Sequence, residues 1–529
     1  MKKFFAILMA ICMMASMLCV PAFAAGETYE SKDELPAPAA DVVIRVTAIK
    51  GDKIVHVGDY TNFEDGWFNA IHEGLPRQTK TTKYERMIVD FYADWTSADD
   101  GNFTDDPAMQ LNSEGFNNDT IEIPDDVKIT INLNGHTIKR VLPDSISDGE
   151  VMYIDEDADV IINNGTITGG KSTNGAGGIH IHDANVTLND VHIVGNLADN
   201  DDGGGIALYD GAVLVMNGGS FRDNTIDGTD ANGIGAWECM GGAIYINDST
   251  AIFNGVEFKN NQNTTDSDYG AAIYVDDGEV SIDKCIFDGN GIKDDAKGFK
   301  PSLSIIHAEG GSTIDVKNST FTNNGYNAHN WQWGCFGGGT YGYESSIFVL
   351  EASQLTISGD TKFTNNATVE MFSISNGISG IYVSDATFTD NGSDIINAHM
   401  NLAEDSYFRN CTFNNNMMTK PELFYEFTGG TYSPVSFKIS DCSLTMYECD
   451  MGNSTYKGVE NIKFVDCENA PNAGARRFGS IFGEGSLTMI VALLALIASG
   501  VSIFLTVYYN KKKAVPVTAN NAEETEDEE

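Results

Sequence analysis

Positive charge is scarce in this chain: 32 Lys and Arg stand against 76 Asp and Glu in 529 residues, a formal net charge of −44. That balance repels phosphate backbones and excludes nucleic acid as a partner. It also opposes an unassisted grip on polyanionic glycans, which would need bridging by Ca²⁺. Cysteine is sparse and unpatterned, with no Cys-x-x-Cys pair. Two of the nine, Cys12 and Cys19, lie in the first apolar run, which leaves seven, an odd number that cannot pair completely within one molecule. Cys285, Cys411, Cys442 and Cys467 sit in strand-like contexts. They read as small stacked side chains, not as a disulfide framework or a metal cluster. Charged residues make up only 20% and apolar alternation is regular, which excludes disorder; 54 glycines and many Asn-Gly, Asp-Gly and Gly-Gly pairs announce tight turns.

Long apolar runs occur only at the two ends. Lys2 and Lys3 precede an apolar run from Phe4 to Val20, then Pro21 and the small-x-small triplet Ala22-Phe23-Ala24. This is the layout of a secretory signal peptide over residues 1–24, cleaved after Ala24 or Ala25; an uncleaved helix is the alternative. Leu18 before Cys19 argues against lipidation. Leu487 to Tyr509 forms 23 residues without a charge, closed by Tyr508, Tyr509 and the cluster Lys511 to Lys513. That length spans a hydrocarbon core of roughly 30 Å, and the lysines place the following end in the cytoplasm. The expected organisation is therefore signal peptide 1–24, an N-terminal segment and helical cap 25–86, a solenoid 87–468, a linker 469–486, a membrane span 487–509 and an acidic tail 510–529. The expected location is the cell membrane, single-pass, with the large N-terminal part outside.

Between the ends a repeat decides the fold. Four segments align: Gly178-Ile-His-Ile-His-Asp183, Gly205-Ile-Ala-Leu-Tyr-Asp210, Ala243-Ile-Tyr-Ile-Asn-Asp248 and Ala272-Ile-Tyr-Val-Asp-Asp277. Each alternates as a short strand and ends in a turn-forming Asp. Three residues on, second strands begin at Val186, Val213, Ala251 and Val280. A third apolar residue follows, with Asn three positions later: Ile193/Asn196, Phe221/Asn224, Phe258/Asn261, Phe287/Asn290, Phe321/Asn324, Phe363/Asn366, Phe388/Asn391 and Phe413/Asn416. From the first Ile to Asn the four cores take 17, 18, 17 and 17 steps, whereas successive coils start 27, 38 and 29 residues apart. Constant cores with variable inserts at one corner are what a solenoid requires. The recurring Asn residues are expected to stack as a structural ladder, amide on amide. Upstream, Asn62 to Glu73 reads as a short helix with Asn62 as its N-cap, covering the open end; Met87 to Tyr92 and Ile129 to Ile138 read as first coils.

Gly241-Gly-Ala-Ile244 together with Phe-x-x-Asn resembles the repeat of the polymorphic outer-membrane protein family, and more broadly the right-handed parallel β-helix superfamily. The resemblance is plain from Gly178 to Asn416 and thinner from Met87 to Cys467. It implies an all-β, right-handed parallel β-helix, surface-displayed and used in adhesion. The chain departs from that family where an autotransporter barrel would follow, having a single apolar segment instead.

Candidate chemistry is limited. Asp199, Asp201 and Asp202 cluster in the insert after Asn196, a pattern suited to Ca²⁺ or to a turn that needs no ion. No Lys or Arg base accompanies them in the pattern of a lyase, and the Asn-Thr-Asp, Gly-Asp-Asp and Arg-Ile-Lys set of polygalacturonase-type hydrolases is absent. His180 and His182 point outward and continue, coil by coil, into Ala207/Tyr245/Tyr274 and Tyr209/Asn247/Asp276. This stripe is either cross-coil stacking or a binding face. The insert Gly325 to Glu344 carries Tyr326, His329, Trp331, Trp333, Phe336, Tyr341 and Tyr343. These rings are platforms for sugars or a protein partner, or they cover a gap in the core. The expected function is a membrane-anchored surface module binding a glycan or a protein, in preference to a polysaccharide lyase or glycoside hydrolase or a passive stalk.

Overall fold

Successive coils of this chain lay equivalent strands side by side, so that every strand of one coil hydrogen-bonds the same strand of the next. The computed structural model describes residues 29–72, 84–97, 116–117, 120–141, 149–173, 175–227, 239–264, 269–291, 304–325, 346–368, 370–392, 394–416 and 436–471. The chain is all-β, mostly parallel strands in stacked sheets, with one short α-helix among the described residues. The expected signal peptide, the membrane span 487–509 and the acidic tail lie outside the described residues. Among those described, no helix is long and apolar enough to cross a membrane.

The stack begins with a cap. Strand β1 (Ile44–Lys50) pairs antiparallel with both β2 (Lys53–Tyr60) and β3 (Arg86–Phe91), and β3 then pairs parallel with Lys128–Asn132 of the first full coil. Helix α1 (Phe63–His72) packs here, its Phe63 and Trp67 buried and Phe63 stacked among Trp67, Phe91 and Trp95 at 4.5–5.8 Å. The Asn62 side chain accepts the Asp65 amide at 3.1 Å, the N-cap expected from sequence. The hairpin of β1 and β2 was not expected: residues 25–86 read only as a segment and a helix. β1 is buried along most of its length, Ile44 to Ala48, with Arg45 and Thr47 buried between the apolar Ile44, Val46 and Ala48.

Beyond the cap, the segments aligned by sequence pair in register. Ile179, Ile206, Ile244 and Ile273 are partners in turn within a second sheet, whose strands include Ile179–His182, Ile206–Tyr209, Ile244–Asn247, Ile273–Asp276, Ser304–Glu309 and Ser346–Leu350. Ile193, Phe221, Phe258, Phe287, Phe321, Phe363, Phe388 and Phe413 are likewise in register in the first sheet. From Phe221 to Phe413 their rings stack at 4.5–5.0 Å through the core. One alignment needs correction. Val186 pairs with Leu214, not Val213, and the buried pair of that coil is Leu214 and Met216. The coil with the longer core spends its extra residue in the turn at Gly211, whose φ of +92° suits glycine.

The Asn ladder stands as expected. Asn196, Asn224, Asn261, Asn290, Asn324, Asn366, Asn391 and Asn416 are all buried. Each side-chain amide from Asn196 to Asn391 donates to the next Asn oxygen at 2.9–3.1 Å. The same oxygen receives the neighbour's backbone N–H, and each amide also donates to a core carbonyl of the preceding coil, such as Phe258 for Asn290. A second ladder, unexpected, runs along the outside of the first sheet: Asn254 donates to Asn217, Asn217 to Asn189, Asn189 to Asn163, Asn163 to Asn132 and Asn132 to Asp90 at 2.7–2.9 Å. Cys285, Cys411, Cys442, Cys449 and Cys467 form no disulfide. Burial raises the Cys285 thiol to about 11, as befits a packing residue.

Candidate functional site

In each coil of the second sheet the residues between the inward Ile pair, and the one after them, face away from the core. The register therefore builds two neighbouring rows. One runs Tyr153, His180, Ala207, Tyr245, Tyr274, His307; the other runs His182, Tyr209, Asn247, Asp276, Glu309. Ala207 leaves a ring-sized gap in the first row, and Tyr209 leans into it from the second. The outcome is one continuous file of rings: Tyr153–His180 at 4.8 Å, His180–Tyr209 at 5.0 Å, Tyr209–Tyr245 at 5.4 Å, Tyr245–Tyr274 stacked with nearly parallel planes at 5.5 Å, and Tyr274–His307 at 5.1 Å.

The stripe is not evenly exposed along its length. Tyr153, His180, Tyr209 and Tyr245 are half-buried, but Tyr274 is 1% exposed and His307 is fully buried. Burial pushes the Tyr153 phenol up to about 12 and drives Tyr209, Tyr245 and Tyr274 higher still, with neighbouring carboxylates adding to each. The phenols are therefore neutral donors at every ordinary pH.

Carboxylates border the file. His182 Nε2 lies 2.8 Å from Asp210, and His180 Nδ1 lies 3.6 Å from Glu150. His182 Nδ1 also faces Glu156 at 3.8 Å, and the two imidazoles share no acid. Sequence reasoning missed the far end. Tyr274 donates to Glu309, while His307 Nε2 points at Glu309 and Glu351 from 3.6 and 4.0 Å, too long for hydrogen bonds. The His307 and Tyr274 contacts hold the Glu309 carboxyl below its ordinary value, whereas burial and the Glu309 charge raise that of Asp276. Ile305-Ile-His-Ala-Glu-Gly310 is a repeat segment, but it lacks the Gly-Gly-Ala-Ile signature and closes on Gly310 where the others close on Asp. The signal was its spacing before the Phe321/Asn324 pair.

The acidic trio dissolves into separate duties. Asp199 pairs with Lys171 at 3.1 Å and accepts from Asn200. Asp201 accepts the Gly175 amide of the preceding coil at 2.8 Å, and Asp202 accepts the Met240 amide of the following one at 2.7 Å. These acids staple the insert to its neighbours, and among the described residues no three His, Cys, Asp or Glu side chains form a metal-holding group. Tyr326, His329, Trp331, Trp333, Tyr341 and Tyr343 lie outside the described residues. A second polar cluster sits lower on the same sheet, where Lys438 meets the fully buried Asp394 at 2.6 Å and Asn397 donates to Glu370 at 2.7 Å.

No family model and no curated protein matches the sequence. Among solved structures, the chain is similar to the crystal structure of the catalytic unit of a thermostable GH87 alpha-1,3-glucanase from Streptomyces thermodiastaticus strain HF3-3, at 11% identity and a TM-score of 0.23. The match covers 64% of this chain and 62% of that one, under two thirds of its length. A likeness that slight bears on neither mechanism nor substrate.

Proposed function

We propose that this chain is a bacterial cell-surface β-helix, right-handed in its coiling, that binds an uncharged glycan along the ring file of its second sheet. The observation that carries the reading is the file itself, Tyr153 to His307, with neutral phenols on one side and carboxylates on the other. Flat rings suit the apolar faces of sugars, phenol and carboxylate suit their hydroxyl rims, and a few placed polar groups fix orientation. The net charge of −44 selects against uronic-acid polymers. Right-handed coiling is favoured by the near-universal hand of parallel crossovers. Display outside the cell is supported by the signal-like start and by the apolar run Leu487 to Tyr509 followed by three lysines.

The test is an array of neutral and uronic-acid polysaccharides probed with the full chain. Binding to a neutral polymer, weakened about tenfold by Tyr245→Ala, is the expected outcome. Preference for a uronic-acid polymer, or no binding at all, sinks the proposal and in the latter case leaves a passive stalk. If Trp331→Ala/Trp333→Ala abolishes binding while Tyr245→Ala leaves it intact, the insert is the site and the file is packing. Truncation before residue 487 is expected to release the protein from the membrane fraction; retention there refutes the anchor.

A further inference from the structure

Three carboxylates share one row on consecutive coils, Asp276, Glu309 and Glu351, yet they are not equivalent. Both oxygens of Glu351 are engaged, one accepting from Ser375 at 2.8 Å and the other from Asn376 at 2.9 Å. Asp276 has only a long 3.5 Å contact from Asn247. Glu309 takes the Tyr274 hydroxyl on one oxygen and faces His307 with the other, while its side chain stays 34% exposed. His307 contributes the independent sign of a purpose. It is completely buried beneath these acids, and neither ring nitrogen has a hydrogen bond. Leaving a buried imidazole without a hydrogen bond is costly, so a site that keeps one aimed at a carboxylate row is poised for a group still to arrive.

We infer that Asp276 and Glu309 form the proton donor and nucleophile of a centre that hydrolyses a glycosidic bond in the uncharged glycan bound along Tyr245. This rests on the glycan reading above. Neighbouring parallel strands stand about 4.8 Å apart, which sets in-register carboxyls near the roughly 5–5.5 Å used by retaining glycosidases. A Glu309 oxygen attacks the anomeric carbon while the glycosidic C–O bond breaks and Asp276 delivers its proton to the leaving oxygen. Water then attacks the same carbon, Asp276 takes the water's proton, and the bond to Glu309 breaks. One water is consumed, and both carboxyls return to their starting states. The opposite displacements of the two acids match these roles: Asp276 is held protonated to higher pH, Glu309 ionised to lower pH. His307 and Tyr274 are positioning residues that fix Glu309.

The experiment uses the full chain with two readouts, retention on neutral polysaccharides and release of new reducing ends from the polymer retained. Glu309→Gln and Asp276→Asn, near-isosteric and checked by thermal melting, are expected to lose about 10²-fold or more of the hydrolytic rate per amount of polymer retained. For Glu309→Ala, azide supplied as an external nucleophile is expected to restore glycosyl transfer from an aryl glycoside of the same sugar. Binding by the wild type without any reducing-end release overturns this inference and leaves the glycan reading standing. Unchanged hydrolysis in Glu309→Gln also overturns it. Failure to bind any neutral polymer overturns both.

Discussion

Replacing Asn290 by Ala removes the side chain at the middle of the buried ladder, and the bonds lost can be counted. Its oxygen accepts the Asn261 backbone N–H at 3.0 Å and the Asn261 amide at 2.9 Å. Its own amide donates to the Phe258 carbonyl at 2.9 Å and to the Asn324 oxygen at 3.0 Å. Four bonds vanish where no described surface is open to water. At a net contribution of about 1 kcal/mol each, the loss is about 4 kcal/mol, with stranded partners adding to it. Asn416, at the far end, is the contrasting case: it makes three such bonds, to Asn391 twice and to Phe388, and it is slightly exposed. Asn416→Ala is therefore expected to cost about 3 kcal/mol or less. Urea titration reads the totals. Because stability in a stacked repeat is a sum of neighbour terms, amide hydrogen exchange should localise the damage to the coils carrying Asn261, Asn290 and Asn324. Asn290→Ala within about 1 kcal/mol of wild type, or less damaging than Asn416→Ala, would refute the reasoning.

Further expectations follow from the same geometry. In Gly204→Ala the new methyl would sit 2.3 Å from the Gly242 carbonyl and 2.6 Å from that of Thr225, so melting should fall well below that of Gly255→Ala, where space is open and only φ of +68° is strained; the reverse order of melting temperatures defeats this. Tyr153, Tyr209, Tyr245 and Tyr274 all have raised folded-state values, so the stability they confer is complete below the unfolded value near 10 and is lost as pH climbs above it. Absorbance at 295 nm should show Tyr153 ionising near 12, with the other three appearing only as the chain unfolds; ordinary titration near 10 contradicts the buried file. Hydrolysis, where found, should have an acidic optimum, since Asp276 must be protonated and Glu309 ionised, and Asp276→Asn should remove the alkaline limb; an unaltered limb assigns the donor elsewhere.

Much of the coil was legible because its logic is local in sequence. Ile179-x-Ile181, Phe-x-x-Asn and the closing Asp each impose a direction on the chain, and the buried ladder and ring stack follow by repetition. The slip at Val213 arose because an inserted turn residue, Gly211, moves every following residue to the opposite face. The second ladder escaped notice since Asn163, Asn189 and Asn217 each precede a bend at a positive-φ residue, Asn164, Asp190 and Gly218, where Asn reads as an ordinary turn former. His307 and Glu309 escaped for another reason. Their coil carries Ile305 where the aligned coils carry Gly or Ala before the strand, so no motif flagged it. The pairing of Asp201 with Gly175 and of Asp202 with Met240 joins residues of different coils, which spacing along the chain cannot reveal.

The ladder also bears on how such a chain changes over generations. Because Asn224 offers Asn261 the same bonds that Asn261 offers Asn290, one coil presents nearly the same docking edge as another. Deleting Ile244 to Ala272 would bring Ile273 onto Ile206 with the inward residues, the core Phe and the ladder Asn all finding equivalent partners. Copying errors of whole coils are thus nearly silent for stability, and each changes the reach of the molecule by about 4.8 Å. The hairpin of β1 and β2 forbids such growth at the opening end, where its antiparallel pairing matches no coil. Length is free to drift only in the interior, so the distance between the cap and the ring file is the dimension that selection would have to hold.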